Sequence, residues 1–157
     1  MKKVLCVMAL IAILGAGTAF ADFGIGVYGL AGGGSGLGGG GGVTLAFSNI
    51  YIYVDALYIG NGLALSGAVD FLQFLGGNIA SGFDWYWRVG VPVGIWGFGG
   101  EFGLAAGIRA PVGISWKPIP LLEVFLQATP QIGLQILPEL NLWNHFWGGN
   151  LGIRLWF

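Results

Sequence analysis

The 157-residue sequence predicts an all-β protein, an eight-stranded antiparallel transmembrane β-barrel that follows a cleaved signal peptide. Three observations lead to this prediction. Hydrophobic residues make up 55% of the chain and charged residues only 8%, against about 25% charged in typical soluble domains. The hydrophobic residues alternate with small or polar ones, which is the pattern of strands with two different faces. Glycine clusters also divide the longest uncharged stretch, 23–54, which disfavours a membrane-spanning helix of roughly 20 residues.

The amino-terminal segment has the pattern of a secretory signal peptide. Two lysines precede an apolar stretch at 4–14, and Ala19-Phe20-Ala21 matches a small-residue cleavage site. We therefore expect residues 1–21 to be removed and residues 22–157 to form one outer-membrane β-barrel domain. Cys6 belongs to the removed part, so the mature chain has no cysteine for disulfides or thiolate metal sites.

In eight segments of the mature chain, apolar residues alternate with small or polar ones, as is typical of β-strands. Their predicted ranges are 22–30, 43–47, 50–58, 63–74, 83–96, 101–116, 121–136 and 145–157. Segment 31–42 consists almost entirely of glycine, so we expect a flexible loop in which substitutions have little effect. Segment 76–82 is a further predicted connection. Three prolines inside predicted strands, Pro92, Pro111 and Pro130, require bulges or local breaks in pairing.

The last segment, His145–Phe157, has the strictest alternation. A terminal Phe on an alternating strand resembles the assembly signal of bacterial outer-membrane barrels, which the insertion machinery recognises. The predicted signal residues share one apolar face: Leu151, Ile153, Leu155 and Phe157. Arg154 faces the other side, because a charge near the middle of the lipid would cost about 2–4 kcal/mol. The alternative is the edge strand of a soluble sandwich.

Seven charged residues fall on the predicted inward faces. They are Asp55, Asp70, Asp84, Arg88, Arg109, Glu123 and Arg154. An eight-stranded barrel is just wide enough for side chains to fill it, so these charges are predicted to form a structural network in a largely filled lumen. The alternative is that they line a narrow conducting path. Four tryptophans are predicted to lie at the membrane interface: Trp85, Trp87, Trp116 and Trp147.

The sequence offers little support for catalysis, cofactors or nucleic acid. His145 is the only histidine, falls on the outward face and has no second ligand at metal-binding spacing. The mature chain carries four Lys or Arg against seven carboxylates, a net charge of 4 − 7 = −3, which does not favour nucleic-acid binding. We predict no enzyme activity, no cofactor and no metal.

Three segments of the second half carry a family resemblance. They read GIRAPVGISW at 107–116, LLEVFLQATPQIGLQILPEL at 121–140 and GGNLGIRLWF at 148–157. The chain thereby resembles a family of small spirochaetal outer-membrane β-barrel proteins of largely uncharacterised function. The resemblance implies an OmpA-like eight-stranded barrel in a bacterial outer membrane, and it carries over no catalytic residues.

These observations lead to one expected function and one alternative. We expect an integral outer-membrane protein with a structural or surface-interaction role and a largely filled lumen. Its expected partners are outer-membrane lipid, the barrel assembly machinery during insertion, and a host or envelope ligand bound through the loops. The alternative is a narrow porin-like channel or transporter for small or hydrophobic solutes. The inward charges disfavour a secreted glycine-rich structural or amyloid protein.

Overall fold

The computed structural model describes residues 23–33, 37–59, 62–98, 101–143 and 147–157. The predicted signal peptide at 1–21 and His145 lie outside the described residues. The described chain is all-β, in the following strands: β1 (Phe23–Gly33), β2 (Leu37–Phe47), β3 (Ile50–Ile59), β4 (Gly62–Ala80), β5 (Phe83–Phe98), β6 (Glu101–Arg109), β7 (Val112–Ile119), β8 (Leu122–Leu137), β9 (Asn141–Leu142) and β10 (Trp147–Trp156). A search of these residues for a helix long and apolar enough to cross a membrane finds none.

The strands close into an antiparallel barrel. Strands β1 to β5 pair in sequence order, and β10 joins β8 to β1. The closing pair β1–β10 extends from Gly24 opposite Trp156 to Gly33 opposite Trp147. Strands β6 and β7 both lie between β5 and β8, so together they occupy one position in the wall. The circuit therefore has eight positions, and the predicted all-β, eight-stranded antiparallel class is confirmed.

Pro111 separates β6 from β7 without changing their register. Arg109 lies opposite Gly90 in β5, and Val112 lies opposite Trp87, so the same alignment continues across the break. The amide of Arg88 donates to the carbonyl of Pro111 at 2.9 Å, and the amide of Ala110 donates to that of Pro130, also at 2.9 Å. Since proline has no N–H, neither Pro111 nor Pro130 can donate the second hydrogen bond that such an antiparallel pair normally forms. The prolines therefore cause local breaks in the ladder.

Two predicted connections are in fact mostly strand. The glycine segment 31–42 extends β1 to Gly33 and begins β2 at Leu37, with residues 34–36 outside the described part. Segment 76–82 lengthens β4 to Ala80, with a turn at Ser81-Gly82. Ladder pairing uses backbone groups only, so a stretch without side chains can pair as fully as any other. Three register shifts in β4 accommodate its added length.

The barrel has two distinguishable ends. At the lower end, short turns connect β2 to β3, β4 to β5 and β7 to β8, and the amide of Phe157 donates to the carbonyl of Phe23 at 2.8 Å. The upper end lies at the opposite ends of these strands. Over most of the wall, alternation places small and polar residues and the rings of the buried cluster inside, and large aliphatic residues and further aromatic rings outside, whereas residues 76–80 of β4 are all exposed. The buried cluster is consequently in the lumen and includes Tyr28, Tyr53 and Phe125.

Candidate functional site

The candidate functional site is the interior of the barrel, because the charged side chains are buried there. Near the lower end, Arg154 of β10 lies directly opposite Glu123 of β8. The Arg154 Nη1 atom is 2.7 Å from Glu123 Oε2, and these side chains are 1% and 3% exposed. Arg154 also donates to Thr44 Oγ1 at 3.2 Å, while Trp156 Nε1 donates to Glu123 at 2.7 Å. This pair is thus buried and held by additional hydrogen bonds.

A second ion pair joins β4 to β6 over a glycine of β5. Asp70 of β4 and Arg109 of β6 both lie opposite Gly90 of β5. Arg109 donates from Nε to Asp70 Oδ1 at 2.6 Å and from Nη2 to Oδ2 at 2.7 Å. A Cβ at Gly90 would be 2.1 Å from Asp70 Oδ1, so a side chain there would displace the carboxylate. The two-pronged geometry is the strongest arrangement available to an Arg–carboxylate pair.

Arg88 is buried without an acidic partner. Its guanidinium carbon lies 3.5 Å from the ring centre of Tyr51 and 3.8 Å from that of Tyr86. Its Nε donates to Gln73 Oε1 at 3.4 Å, and no carboxylate of the described residues forms an ion pair with it. The hydroxyl of Tyr86 in turn donates to Gln127 Oε1 at 2.9 Å. Aromatic faces therefore take the place of a counter-ion around Arg88.

Two predicted members of the charge network also lack an ion pair within the described part of the chain. Asp55 accepts hydrogen bonds from Tyr28 Oη at 2.7 Å and from Ser66 Oγ. Asp84 is half-buried near the lower turn and accepts from Asn78 Nδ2 at 3.1 Å. The structure therefore divides the predicted network into two ion pairs and three separate charges. The neutral partners Tyr28, Ser66 and Gln73 were not predicted, because alternation assigns a residue to a face without showing which residues on that face meet.

The upper half of the lumen contains a partly open cavity of about 240 Å³. Its lining combines glycine, alanine and proline with polar groups and two indoles. The polar and indole-bearing lining residues include Asp55, Ser66, Trp96, Arg109, Thr129 and Trp143. Trp143 packs against two glycines of the barrel wall, Gly94 and Gly133. A Cβ at Gly94 would be 2.9 Å from the Trp143 ring, and a Cβ at Gly133 would be 2.8 Å from it. The upper half of the lumen is therefore not filled by side chains.

Three of the four predicted interface tryptophans and all the predicted assembly residues have described side chains, and these lie on or near the outer wall. Trp85 and Trp116 are exposed near the lower end, where Trp116 stacks on Phe83 with ring centres 5.6 Å apart. Trp87 is half-buried beside Phe74 at 5.4 Å. Trp147 lies in β10 at the upper end, and its side chain is outside the described part. The predicted assembly residues all have exposed side chains: Leu151, Ile153, Leu155 and Phe157.

No family model matches the chain, and no curated protein matches it. The chain is similar to the N-terminal β-barrel domain of Pseudomonas aeruginosa OprF, with 14% identity, a TM-score of 0.50 and coverage of 88% of this chain and 98% of that chain. It also matches Neisserial surface protein A, with 13% identity, a TM-score of 0.47 and coverage of 87% and 96%. The OprF similarity supports the β-barrel fold derived from the strand pairing.

Proposed function

We propose that this protein is an integral protein of a bacterial outer membrane, with the barrel crossing the lipid. The observation that carries the proposal is the apolar outer wall. Every long strand of the wall exposes large hydrophobic side chains, among them Val27, Ile108 and Ile153. Water-soluble monomers rarely expose apolar patches beyond a few hundred Å². Among the side chains that the structure describes, the exposed charges are Lys117 and Glu139, in the last residues of β7 and beyond β8.

The interior supports membrane placement in a second way. Arg88, Arg109 and Arg154 are turned away from the outer wall and are buried inside the barrel. A transmembrane barrel requires this division, because a cation facing the middle of the bilayer costs about 2–4 kcal/mol. A soluble barrel would show the opposite distribution of polar and apolar faces.

The export and assembly signals of the sequence complete this part of the proposal. The amino-terminal pattern at 1–21 would direct secretion, and the apolar face ending at Phe157 would be recognised by the barrel assembly machinery. Trp85 and Trp116 would lie among the lipid headgroups, where indole rings are favoured. The resemblance in the second half supports membership of the spirochaetal outer-membrane family.

Within this class we propose a non-enzymatic structural or surface-interaction role. Side chains from distant parts of the wall meet inside the lumen: the Tyr53 hydroxyl of β3 donates to Gln127 Oε1 of β8 at 3.4 Å, and the Arg154 guanidinium carbon of β10 lies 5.0 Å from the ring centre of Tyr51 in β3. Each contact would have to break before ions could pass through. A host or envelope ligand would therefore meet the upper rim and the upper cavity rather than a continuous channel. The narrow porin-like channel remains the rival function, because the cavity occupies part of the same lumen.

Conductance in a planar bilayer tests this role. The protein is first shown to insert, by heat-modifiable gel mobility and by its retention in membranes after a carbonate wash. We expect no reproducible openings. Discrete openings whose size changes in Arg109→Gln, but not in the exposed-cation control Lys117→Gln, would show that the lumen conducts. Release of the protein by carbonate would overturn the membrane placement.

A further inference from the structure

We propose that the upper cavity is a binding site for a small organic ammonium ion. The proposal goes beyond the proposed function and requires only the folded barrel, not its placement in lipid. It is based on an uncompensated carboxylate in the cavity wall, on the lack of an available cation among the described residues inside the barrel, and on the aromatic lining.

The charge of the cavity comes from Asp55. Only two residues of the described lining, Asp55 and Arg109, are ionisable as acid or base at neutral pH. The charge of Arg109 is offset by the bidentate contact with Asp70. Asp55 receives two neutral hydroxyl donors, from Tyr28 and Ser66, and has no ion pair within the described residues. The lining therefore presents one net negative charge.

Arg88, the unpaired cation among the described residues inside the barrel, cannot compensate Asp55. The row of paired residues Asp55–Ser66–Gly94 crosses β5 four residues above the row that holds the Asp70–Arg109 pair at Gly90. Arg88 lies two residues further down β5 and is enclosed by the rings of Tyr51 and Tyr86. An acid in a half-buried site without a cation is unfavourable compared with the same acid in water. A cationic ligand in the cavity would supply the missing charge.

The remaining lining favours an organic cation over a metal ion. Calcium takes six to eight oxygen ligands and magnesium prefers a near-octahedral shell, whereas the described residues contain no group of three acidic, His or Cys side chains. The cavity instead offers the indoles of Trp96 and Trp143, and indole faces attract ammonium groups. Thr129 Oγ1, which is buried and has no hydrogen-bond partner in the described structure, adds a polar contact to the lining.

The size of the cavity restricts the ligand. Its volume of about 240 Å³ is below the roughly 300–1,000 Å³ of typical drug-sized sites. A compact ammonium ion such as tetramethylammonium would fit, whereas a lipid or a peptide would not. The cation would lie between the Asp55 carboxylate and the indole rings.

Titration of the folded protein in detergent micelles with tetramethylammonium chloride tests the proposal. The neutral probe of the same shape is tert-butyl alcohol, and binding is followed by calorimetry and tryptophan fluorescence. We expect saturable binding of the cation and at least about tenfold weaker binding of the alcohol. Asp55→Asn should weaken cation binding by about tenfold or more. Asp84→Asn removes the same charge near the lower turn and should leave the affinity unchanged.

Trp96→Leu provides a second test that does not depend on the fold of the Asp55 variant. This variant keeps the Asp55 carboxylate and removes an indole, so it should weaken the binding of the ammonium ion more than the binding of the alcohol. Equal affinity for both probes, equal losses in Asp55→Asn and Asp84→Asn, or displacement of the probe by equimolar sodium would each overturn the proposal. So would the absence of saturable binding. Conductance in a bilayer would not affect this result, so the two proposals fail independently.

Discussion

Arg154→Met should strongly destabilise the barrel, because it leaves the buried Glu123 carboxylate without its cationic partner. The substitution removes the 2.7 Å contact with Glu123 and the 3.2 Å hydrogen bond to Thr44. Glu123 is 2% exposed and would keep only the donor from Trp156. A hydrogen bond to a charged group contributes about 1.5–3 kcal/mol, and loss of one member of a buried ion pair costs about 3–5 kcal/mol. We expect a decrease of this size in the free energy of unfolding.

The double variant separates the ion pair from simple loss of packing. Glu123→Gln alone leaves Arg154 buried without a counter-ion and should also cost about 3–5 kcal/mol. Combined with Arg154→Met it removes both charges while keeping an acceptor for Trp156, so the double variant should cost no more than either single variant. Unfolding by denaturant in lipid vesicles, followed by tryptophan fluorescence, measures all three.

An additive result would refute this reasoning. If the cost of the double variant equals the sum of the single costs, the two side chains are not coupled between β8 and β10. Lys117→Met is the matched control, because its exposed ammonium group lies 4.7 Å from the ring of Trp156 and forms no ion pair with a carboxylate of the described residues. Its effect should stay within about 1 kcal/mol.

The remaining predictions concern the outer wall, the glycine strand and the carboxyl terminus. Ile153→Arg should lower the free energy of unfolding in vesicles by about 2–4 kcal/mol, whereas Leu140→Arg, between β8 and β9, should have little effect. Gly40→Ala should cost about 1–3 kcal/mol in the same assay, because a Cβ there would be 1.9 Å from the carbonyl oxygen of Ala56. Gly39→Ala meets nothing closer than 3.8 Å and should be neutral. Deletion of Phe157 should reduce the amount of heat-modifiable protein in the outer membrane.

Each of these predictions has a contradicting result. Equal costs for arginine at positions 153 and 140 would mean that the outer wall of β10 does not face lipid. Equal costs for alanine at positions 39 and 40 would contradict the tight approach of β2 to β3. Normal assembly without Phe157 would remove the terminal aromatic as an assembly signal.

Alternation along the chain was sufficient to predict the class of fold and the faces of most strands. In β5, Trp85 and Val91 point outward while Arg88 is buried inside, as the period of two requires. The burial of Arg109, Glu123 and Arg154 follows from the same period. These features depend on neighbours within one strand, so a single sequence contains them.

The partners of the inward charges could not be predicted in the same way. Whether Asp70 meets Arg109 or Arg88 depends on how far each strand is shifted relative to the next, and alternation does not contain that shift. The three-strand row through Gly90 brings Asp70 to Arg109 and leaves Arg88 with aromatic rings. The upper cavity was missed for the same reason: its volume depends on small residues from different strands that lie at one height.

Glycine strands were misread because the prediction depended on side-chain patterning. Residues 31–33 and 38–42 have almost no side chains to alternate, yet 31–33 pair continuously with β10 and 38–42 with β3. Tertiary pairing therefore overrides the low strand preference of glycine.

The glycine run in β2 also has a consequence at the level of the gene. Every glycine codon begins with two guanines, and a base change at either of these positions introduces a residue that carries a Cβ or ends the chain. At Gly40 and Gly42 that atom would meet backbone oxygens at 1.9 and 2.3 Å, whereas at Gly39 the space is open. The run of five glycines thus contains two kinds of position, and random mutagenesis should recover replacements at Gly39 far more often than at Gly40 or Gly42.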